Sequence, residues 1–255
     1  MLKVKNGGMP RPVSIVTVSH DTFFFVRLLV EKVREFVGGR PYEIIVVDRG
    51  SKDGTREWLG GQSDVRLLTE KPNRRRHHTH GEAAERGAKY ARYDHVVLLD
   101  SDAHPMHRDW LELTVERLDD RHRLVGGVFH GNHRSNSRGW YIHPHFMAFQ
   151  KADLGRRLTL RKIPGEDLDT GEAATVRLLD GGYEVIGHPI EFCSQFDVGH
   201  PRFPTITAGV FHAWYGTRLL KETGSVSKET ADAVTRANYL EPLQAGLRRA
   251  YDLAY

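Results

Sequence analysis

The stretch HVVLLDSDAHP, residues 95–105, decides the fold. Its apolar run, Val96 to Leu99, is short and bounded by polar residues, which is typical of a buried parallel strand. Ligands bind at the carboxyl ends of such strands, so the acids that follow are candidate site residues. Because alternate side chains of an extended chain share a face, Asp100 and Asp102 can converge on one cation or polar ligand.

Two carboxylates held this close repel each other unless a cation lies between them. A hard divalent metal such as Mg²⁺ or Mn²⁺ prefers oxygen ligands and also binds a diphosphate. The motif therefore indicates a metal and diphosphate site. On these residues alone, an ordinary acidic turn after a strand remains the alternative.

The chain before this strand alternates strands with helices. Strands are predicted at Val13 to Val18, Tyr42 to Val47 and Val65 to Leu68. Helices are predicted at Phe23 to Val37, around Thr55 to Leu59 and at Glu82 to Ala91. This alternation implies right-handed crossovers and a parallel sheet, with the acid-rich turns at one edge.

The second half of the chain has a looser pattern. Strands are predicted at Val125 to His130, Tyr141 to Phe149 and Tyr183 to Ile186, and helices at Trp110 to Leu118, Leu168 to Leu179 and from Thr217 onward. Leu240, Leu243, Leu247 and Tyr251 recur at helical spacing. We interpret this last face as a cap on the core rather than a surface for a partner helix.

Composition restricts the class of protein. With 255 residues, 39% of them hydrophobic, the chain can bury one substantial core, as one α/β domain or two small ones. The formal charge of +4 does not by itself indicate nucleic acid. The single cysteine, Cys193, excludes an intramolecular disulfide and favours a reducing, cytoplasmic location. Residues 1–12 are predicted to be a flexible lead-in without a signal peptide, and the longest apolar stretch nearby is too short to span a membrane.

Four segments occur in the order found in glycosyltransferase family 2, which the chain resembles. They are the strand 13–18, the sequence EIIVVD with GSKDGT at 43–48 and 50–55, LLDSD at 98–102 and GED at 165–167. The resemblance covers residues from about 13 to 190. It implies a GT-A fold, an α/β, Rossmann-like architecture with a mostly parallel central sheet flanked by helices. It also implies inverting transfer of a sugar from a nucleotide diphosphate sugar to an acceptor hydroxyl.

The resemblance also implies a domain organisation. A catalytic domain at 13–215 would comprise a nucleotide-binding half, 13–105, and an acceptor-binding half, 106–215. A helical extension would follow at 216–255. The acceptor class stays open between a small molecule, a glycan and a glycolipid, and the oligomeric state is not indicated.

Donor-binding residues are implied by the same resemblance. Asp48 matches the acid that contacts the nucleotide base, and a carboxylate suits an N–H of a pyrimidine or an amino group of a purine. Asp102 would bind the metal directly, and Asp100 would contact the ribose or the metal through water. Thr17, Ser19 and Ser101 complete the predicted donor site, although polar residues at strand ends are often turn formers. Arg49 departs from the family pattern and leaves the base unidentified.

Asp167 matches the family acid that acts as catalytic base, with Glu166 as support or acceptor contact. An inverting displacement needs one carboxylate on the face opposite the leaving group. The alternative is that both acids favour the N-terminus of the following helix.

His212 resembles a late histidine that completes the metal site in many GT-A enzymes. An imidazole suits Mn²⁺ better than Mg²⁺. Since it lies among aromatic residues, a purely structural role is the alternative, and His104 is a weaker candidate ligand.

Two further segments have open roles. The basic run at residues 74–80 is either a solvated loop or a mobile loop that meets donor phosphate or an anionic acceptor. Trp140 and His143 fall where family members shape the acceptor site.

Two other functions are retained as alternatives: a catalytically silent nucleotide-sugar or carbohydrate-binding module, and a nucleotidyltransferase. The sequence near the first strand shows no glycine-rich, lysine-bearing phosphate loop that would support a nucleotidyltransferase.

Overall fold

A seven-stranded sheet forms the centre of the computed structural model, which describes residues 9–70, 79–131, 136–163, 165–166, 168–192 and 205–213. Its strands are β1 (Val13–Ser19), β2 (Tyr42–Asp48), β3 (Val65–Thr69), β4 (His95–Asp100), β6 (His122–His130), β7 (Trp140–Gln150) and β8 (Glu184–Pro189). Their order across the sheet is β3-β2-β1-β4-β7-β6-β8. The predicted α/β fold with a mostly parallel sheet is thereby confirmed.

The strand directions place the functional edge. β1 pairs in parallel with β2 on one side and with β4 on the other, and β3 continues this parallel set. β7 alone runs opposite to the other six strands of this sheet. After β1 the chain adds β2 and β3 on one side of β1, and it then adds β4 on the other side. The strand order therefore reverses between β1 and β4, and a ligand is expected to bind at the carboxyl ends of these two strands.

Helices cover both faces of the sheet. α1 (Phe23–Phe36) buries its apolar stripe on one face together with Trp110. The small residues of α3 (His80–Lys89) and the apolar residues of α4 (Thr170–Asp180) pack on the other face. The short helix α2 (Thr55–Gly60) contributes Leu59 to the first core. Both layers exclude water from the sheet, as its uniformly buried central strands require.

A second, smaller sheet was not predicted from the sequence. It contains β5 (Ala103–Pro105), β9 (Glu191–Phe192), β10 (Thr205–Thr207) and β11 (Val210–His212), in the order β5-β11-β10-β9. β5 begins immediately after the two acids of the D-x-D motif. Its pairing with β11 brings a distant part of the chain beside that motif.

The prediction of a helix at Trp110 to Leu118 is wrong. The region instead forms two 3₁₀ turns, Arg108–Trp110 and Val115–Arg117. The hydroxyl of Thr114 donates to the carbonyl of Trp110 at 2.7 Å, which offers the backbone a local alternative to continued helix. The other predicted elements of the described residues are present, with shifted ends. The predicted extension at 216–255 lies outside them.

Glycine permits close packing of α4 on the sheet. A Cβ added at Gly171 would lie 2.0 Å from the carbonyl oxygen of Ile142 in β7. Only a residue without a side chain allows this approach. α4 therefore begins directly against the strand that carries His143. Among the described residues, none of the helices has the length and apolarity to cross a bilayer.

Candidate active site

Asp100, Asp102 and His212 converge at the end of β4. Each offers one ligand atom, and these atoms all lie within 4.8 Å of one another. Nε2 of His212 is 3.4 Å from Oδ1 of Asp102 and 3.9 Å from Oδ2 of Asp100. The side chain of Asp100 is 24% exposed, against 6% for Asp102 and 7% for His212. The group is thus open to a ligand on the Asp100 side and closed behind.

The small sheet brings these three residues together. β4 ends at Asp100, the chain turns through Ser101 and Asp102, and β5 then pairs with β11 so that Ala103 faces His212. The amide of Ala213 donates to the carbonyl of Asp102 at 3.0 Å. His212 is therefore held beside the acids by the backbone pairing of β11 with β5 and by the bond between Ala213 and Asp102.

The two acids and His212 shift one another's pKa values. Burial is the largest influence on the pKa of Asp100 and raises it, but His80, His212 and His143 outweigh burial and hold that pKa well below its usual range. Burial lowers the pKa of His212, whereas Asp102 and Asp100 raise it by more. Two carboxylates and one imidazole form a donor set that suits Mn²⁺, and Mg²⁺ less well.

His80 approaches Asp100 from the opposite side. Its Nε2 is 3.2 Å from Oδ1 of Asp100. Thr79 fixes this position as the N-cap of α3, because its hydroxyl accepts from the amide of Glu82 and the Glu82 carboxylate accepts from the amide of Thr79. Sequence reasoning included His80 in the basic run but did not predict this contact. The Thr79 to Glu82 capping box is the signal that could have placed it.

Two further histidines lie beside Asp100, Asp102 and His212, which we call the metal-binding group because these three residues could hold a metal ion. The rings of His145 and His212 stack with centroids 4.7 Å apart and an interplanar angle of 15°. Nδ1 of His145 is 2.9 Å from Nδ1 of His143, which has its ring 6.5 Å from that of His212. Burial lowers the pKa of His143 to about 4 and that of His145 well below its usual value, so both are neutral. Sequence reasoning missed the role of His145 as a neighbour of the metal-binding group.

The predicted base contact, Asp48, is fully buried at the end of β2. Its Oδ2 accepts from the amides of Gly50 at 3.0 Å and Ser51 at 3.1 Å. Gly50 has a φ of 86°, which favours glycine. The carboxylate therefore closes the turn after β2, and its contact with a base stays a prediction.

The loops around this turn are bound to each other. The amide of Asp21 donates to the hydroxyl of Ser51 at 2.9 Å, and the amide of Lys52 donates to Oδ1 of Asp21 at 2.7 Å. Phe23 and Asp53 make a third such bond, at 2.8 Å. The loops after β1 and β2 consequently form one fixed rim.

The other predicted donor residues are almost wholly enclosed. Thr17 and Ser19 are 0% exposed and Ser101 is 5% exposed. Ser19 and Thr22 share a hydroxyl hydrogen bond of 3.0 Å. The contact of Thr17, Ser19 and Ser101 with a nucleotide stays a prediction.

On the predicted acceptor side, β7 extends beyond the end of β4. The last pair between these strands is Leu99 with Phe146, and residues 140–142 pair with β6 alone. Residues 143–145 lie where the register between β6 and β7 shifts. His143 lies in this projection near the metal-binding group, whereas Trp140 is half-buried at its start. Glu166 is exposed. Asp167 and residues 74–78 lie outside the described residues.

Glu166 does not cap the helix that follows it. Asp169 is the N-cap of α4, and Glu172 completes a capping box with it. Glu166 precedes this cap and takes no part in it.

Comparison with known proteins assigns the class. The family model described as glycosyl transferase family 2 matches residues 14–174. The chain therefore belongs to glycosyltransferase family 2, and its sheet and helices have the GT-A fold.

One solved structure supports this fold, and a second is less similar. A mannosyltransferase from Pyrobaculum calidifontis in complex with GDP-Man and Mn²⁺ is 23% identical with a TM-score of 0.54, over 72% of this chain and 56% of that chain. Glucosyl-3-phosphoglycerate synthase from Mycobacterium tuberculosis, in complex with phosphoglyceric acid, is 21% identical with a TM-score of 0.43, over 59% and 63%. The chain thus spans less than two thirds of either protein. No curated protein matches it.

Proposed function

We propose that this protein is a metal-dependent, inverting glycosyltransferase that moves a sugar from a nucleotide diphosphate sugar to an acceptor hydroxyl. The convergence of Asp100, Asp102 and His212 at the end of β4 carries the proposal. Membership of the family supports the reaction class. The mannosyltransferase of similar fold is described with GDP-Man and Mn²⁺, which supports the ligand class.

The metal-binding group would hold the diphosphate end of the donor. Asp102 and His212, both almost wholly buried, are the proposed direct ligands of Mn²⁺ or Mg²⁺. The more exposed Asp100 would contact the ribose or the metal through water. When bound, the cation supplies Lewis-acid stabilisation of the departing nucleoside diphosphate.

The nucleoside would lie over the ends of β1 and β2. Thr17, Ser19 and Ser101 remain proposed donor contacts. Asp48 remains the proposed contact of the donor base, and its carboxylate also closes the turn at Gly50 and Ser51. The fixed rim of loops lowers the entropic cost of binding, because these segments are ordered before the donor arrives.

The chemical step would use Asp167. The acceptor oxygen forms a bond to the anomeric carbon while the bond from that carbon to the diphosphate oxygen breaks. The hydroxyl proton passes to the carboxylate of Asp167. Glu166, Trp140 and His143 are the proposed acceptor contacts, and the exposure of Glu166 is compatible with this role.

The catalytic domain is proposed to span 13–215, with halves at 13–105 and 106–215, preceded by the lead-in at 1–12 and followed by the extension at 216–255. The single cysteine supports a cytoplasmic, reducing location.

Incubation with a panel of nucleotide sugars and acceptors, with Mn²⁺ or with EDTA, tests the reaction. Release of free nucleoside diphosphate that requires Mn²⁺ is the expected result. Pyrophosphate release would instead indicate a nucleotidyltransferase, and binding without turnover would indicate a silent module. Asp102→Asn should abolish Mn²⁺ binding in calorimetry. Asp109→Asn is the matched control, since that carboxylate is 66% exposed.

A further inference from the structure

An ion pair lies beside the nucleoside side of the site. Arg49 directly follows β2, and Glu70 directly follows β3. Nε of Arg49 is 3.8 Å from Oε2 of Glu70, and their side chains are 30% and 11% exposed. Nη1 of Arg86 is 3.4 Å from Oε1 of Glu70. This pair is partly enclosed at the very edge where the site lies.

The distance of the pair from Asp100 and Asp102 is comparable to the length of a nucleoside diphosphate. Neighbouring strands are about 4.8 Å apart, so β2 lies about 10 Å and β3 about 14 Å from β4, across β1. A donor with its diphosphate at Asp100 and Asp102 would extend its ribose and base along this edge. Its base would then meet the residues that follow β2 and β3.

The backbone holds both residues in place. The amide of Arg49 donates to the carbonyl of Ser19 at 2.9 Å, and the amide of Glu70 donates to the carbonyl of Asp48 at 2.8 Å. Arg86, on α3, restrains the carboxylate of Glu70 from behind. The backbones of the two residues are thus fixed relative to each other, and Arg86 restrains the Glu70 side chain.

We propose that Arg49 and Glu70 read the base of the donor and select guanine, an inference that rests on the proposed function. Guanine presents the acceptor O6 beside the donors N1–H and N2–H₂. A guanidinium pairs well with O6 and N7, and a carboxylate accepts from the adjacent N–H groups. Two adjoining edges of guanine, which meet at O6, therefore satisfy both members of the pair.

Other bases match this arrangement less well. Uracil offers one N–H between two carbonyl oxygens, so a second carboxylate oxygen would face a carbonyl. Adenine lacks both the N1 proton and the O6 acceptor. Each would leave part of the charged pair unsatisfied in a partly enclosed site, which costs binding energy.

Calorimetry with the full chain and Mn²⁺ provides the first test, with GDP, IDP, ADP, CDP and UDP as probes. GDP should bind at least about tenfold more tightly than UDP, as expected for a good bidentate contact. IDP lacks the 2-amino group and should bind more weakly than GDP. Preferential binding of UDP would overturn guanine selection and leave the proposed function intact. If no nucleoside diphosphate binds, the proposed function itself fails.

Variants of the pair provide the second test. Glu70→Gln should weaken GDP binding about tenfold and remove the difference between GDP and IDP, whereas Arg49→Met should weaken both equally. Binding of Mn²⁺ alone should stay unchanged in each, which reports correct folding. Arg27→Met and Glu31→Gln are matched controls, since this exposed pair on α1 has an N–O distance of 2.8 Å. A GDP-to-IDP difference that persists in a folded Glu70→Gln protein would contradict the assignment.

Discussion

Nε2 of His80 lies 3.2 Å from Oδ1 of Asp100, so the first residue of α3 contacts the last residue of β4. The opposite carboxylate oxygen of Asp100 faces His212. Two histidines from separate elements therefore restrain one acid of the metal-binding group. Burial lowers the pKa of His80, but Asp100 raises it by more, as an attractive contact requires.

His80→Ala should loosen Asp100 and weaken the binding of Mn²⁺ with a nucleoside diphosphate by about three- to tenfold, the usual value of one such contact. His80→Gln keeps a side-chain N–H donor and should restore most of the affinity. Calorimetric titration compares the three proteins. Equal affinity of His80→Ala and the unmodified protein would show that the contact does not position Asp100.

Glu85 gives a pH-dependent prediction for stability. Its carboxylate on α3 lies 2.7 Å from Arg161 and 2.9 Å from Lys89. Burial raises its pKa, but Lys89, Arg161 and the amide of Leu160 together lower it below 4.5. A depressed folded-state pKa stabilises the protein above the unfolded value, and that stability is lost as the pH falls through the folded value.

Glu85→Gln should therefore lower the free energy of unfolding at pH 7 and reduce its decline below about pH 4.5. Urea unfolding at several pH values measures both effects. Glu57→Gln, at an exposed position on α2, is the control and should follow the unmodified protein. An unchanged acid decline in Glu85→Gln would exclude Glu85 as its source.

The sequence predicted the parallel strands because β2 and β4 contain continuous apolar runs and β1 is rich in β-branched residues, signals that depend only on neighbouring residues. It could not predict the contacts of His212, His80 and His145. These depend on how β11 pairs with β5 and where α3 begins, which are long-range features. His212 was proposed only through family resemblance, and the fold brings it to the acids. The contacts of Asp48 are different, because its carboxylate accepts from amides two and three residues along the chain, and an Asp before a glycine-containing turn is the local pattern that indicates such an Asx turn.

Gly171 gives a prediction for packing. Gly171→Ala places a Cβ 2.0 Å from the carbonyl oxygen of Ile142, so α4 must move away from β7. We expect a loss of about 1–3 kcal/mol in the free energy of unfolding, typical of overpacking. Gly60→Ala is the control, because nothing lies within 4 Å of its added Cβ. Equal stability of the two variants by urea denaturation would contradict the close packing.

Asp167→Asn tests the chemical step. The amide keeps the size and shape of the side chain but cannot accept the acceptor proton, so kcat should fall by roughly 10²–10⁴. Donor affinity should change little, because this role is confined to the transition state. Steady-state kinetics with the donor found in the panel, together with calorimetry of the nucleoside diphosphate, separates the two effects.

Glu166→Gln is the matched control for that variant. Its side chain is exposed and precedes the Asp169 cap of α4, and adjacent side chains do not reach one hydroxyl equally. Its loss of kcat should therefore be the smaller of the two, with any increase in KM confined to the acceptor. If Glu166→Gln abolishes transfer while Asp167→Asn stays near the unmodified rate, Glu166 is the base and the family motif is aligned one residue out of register.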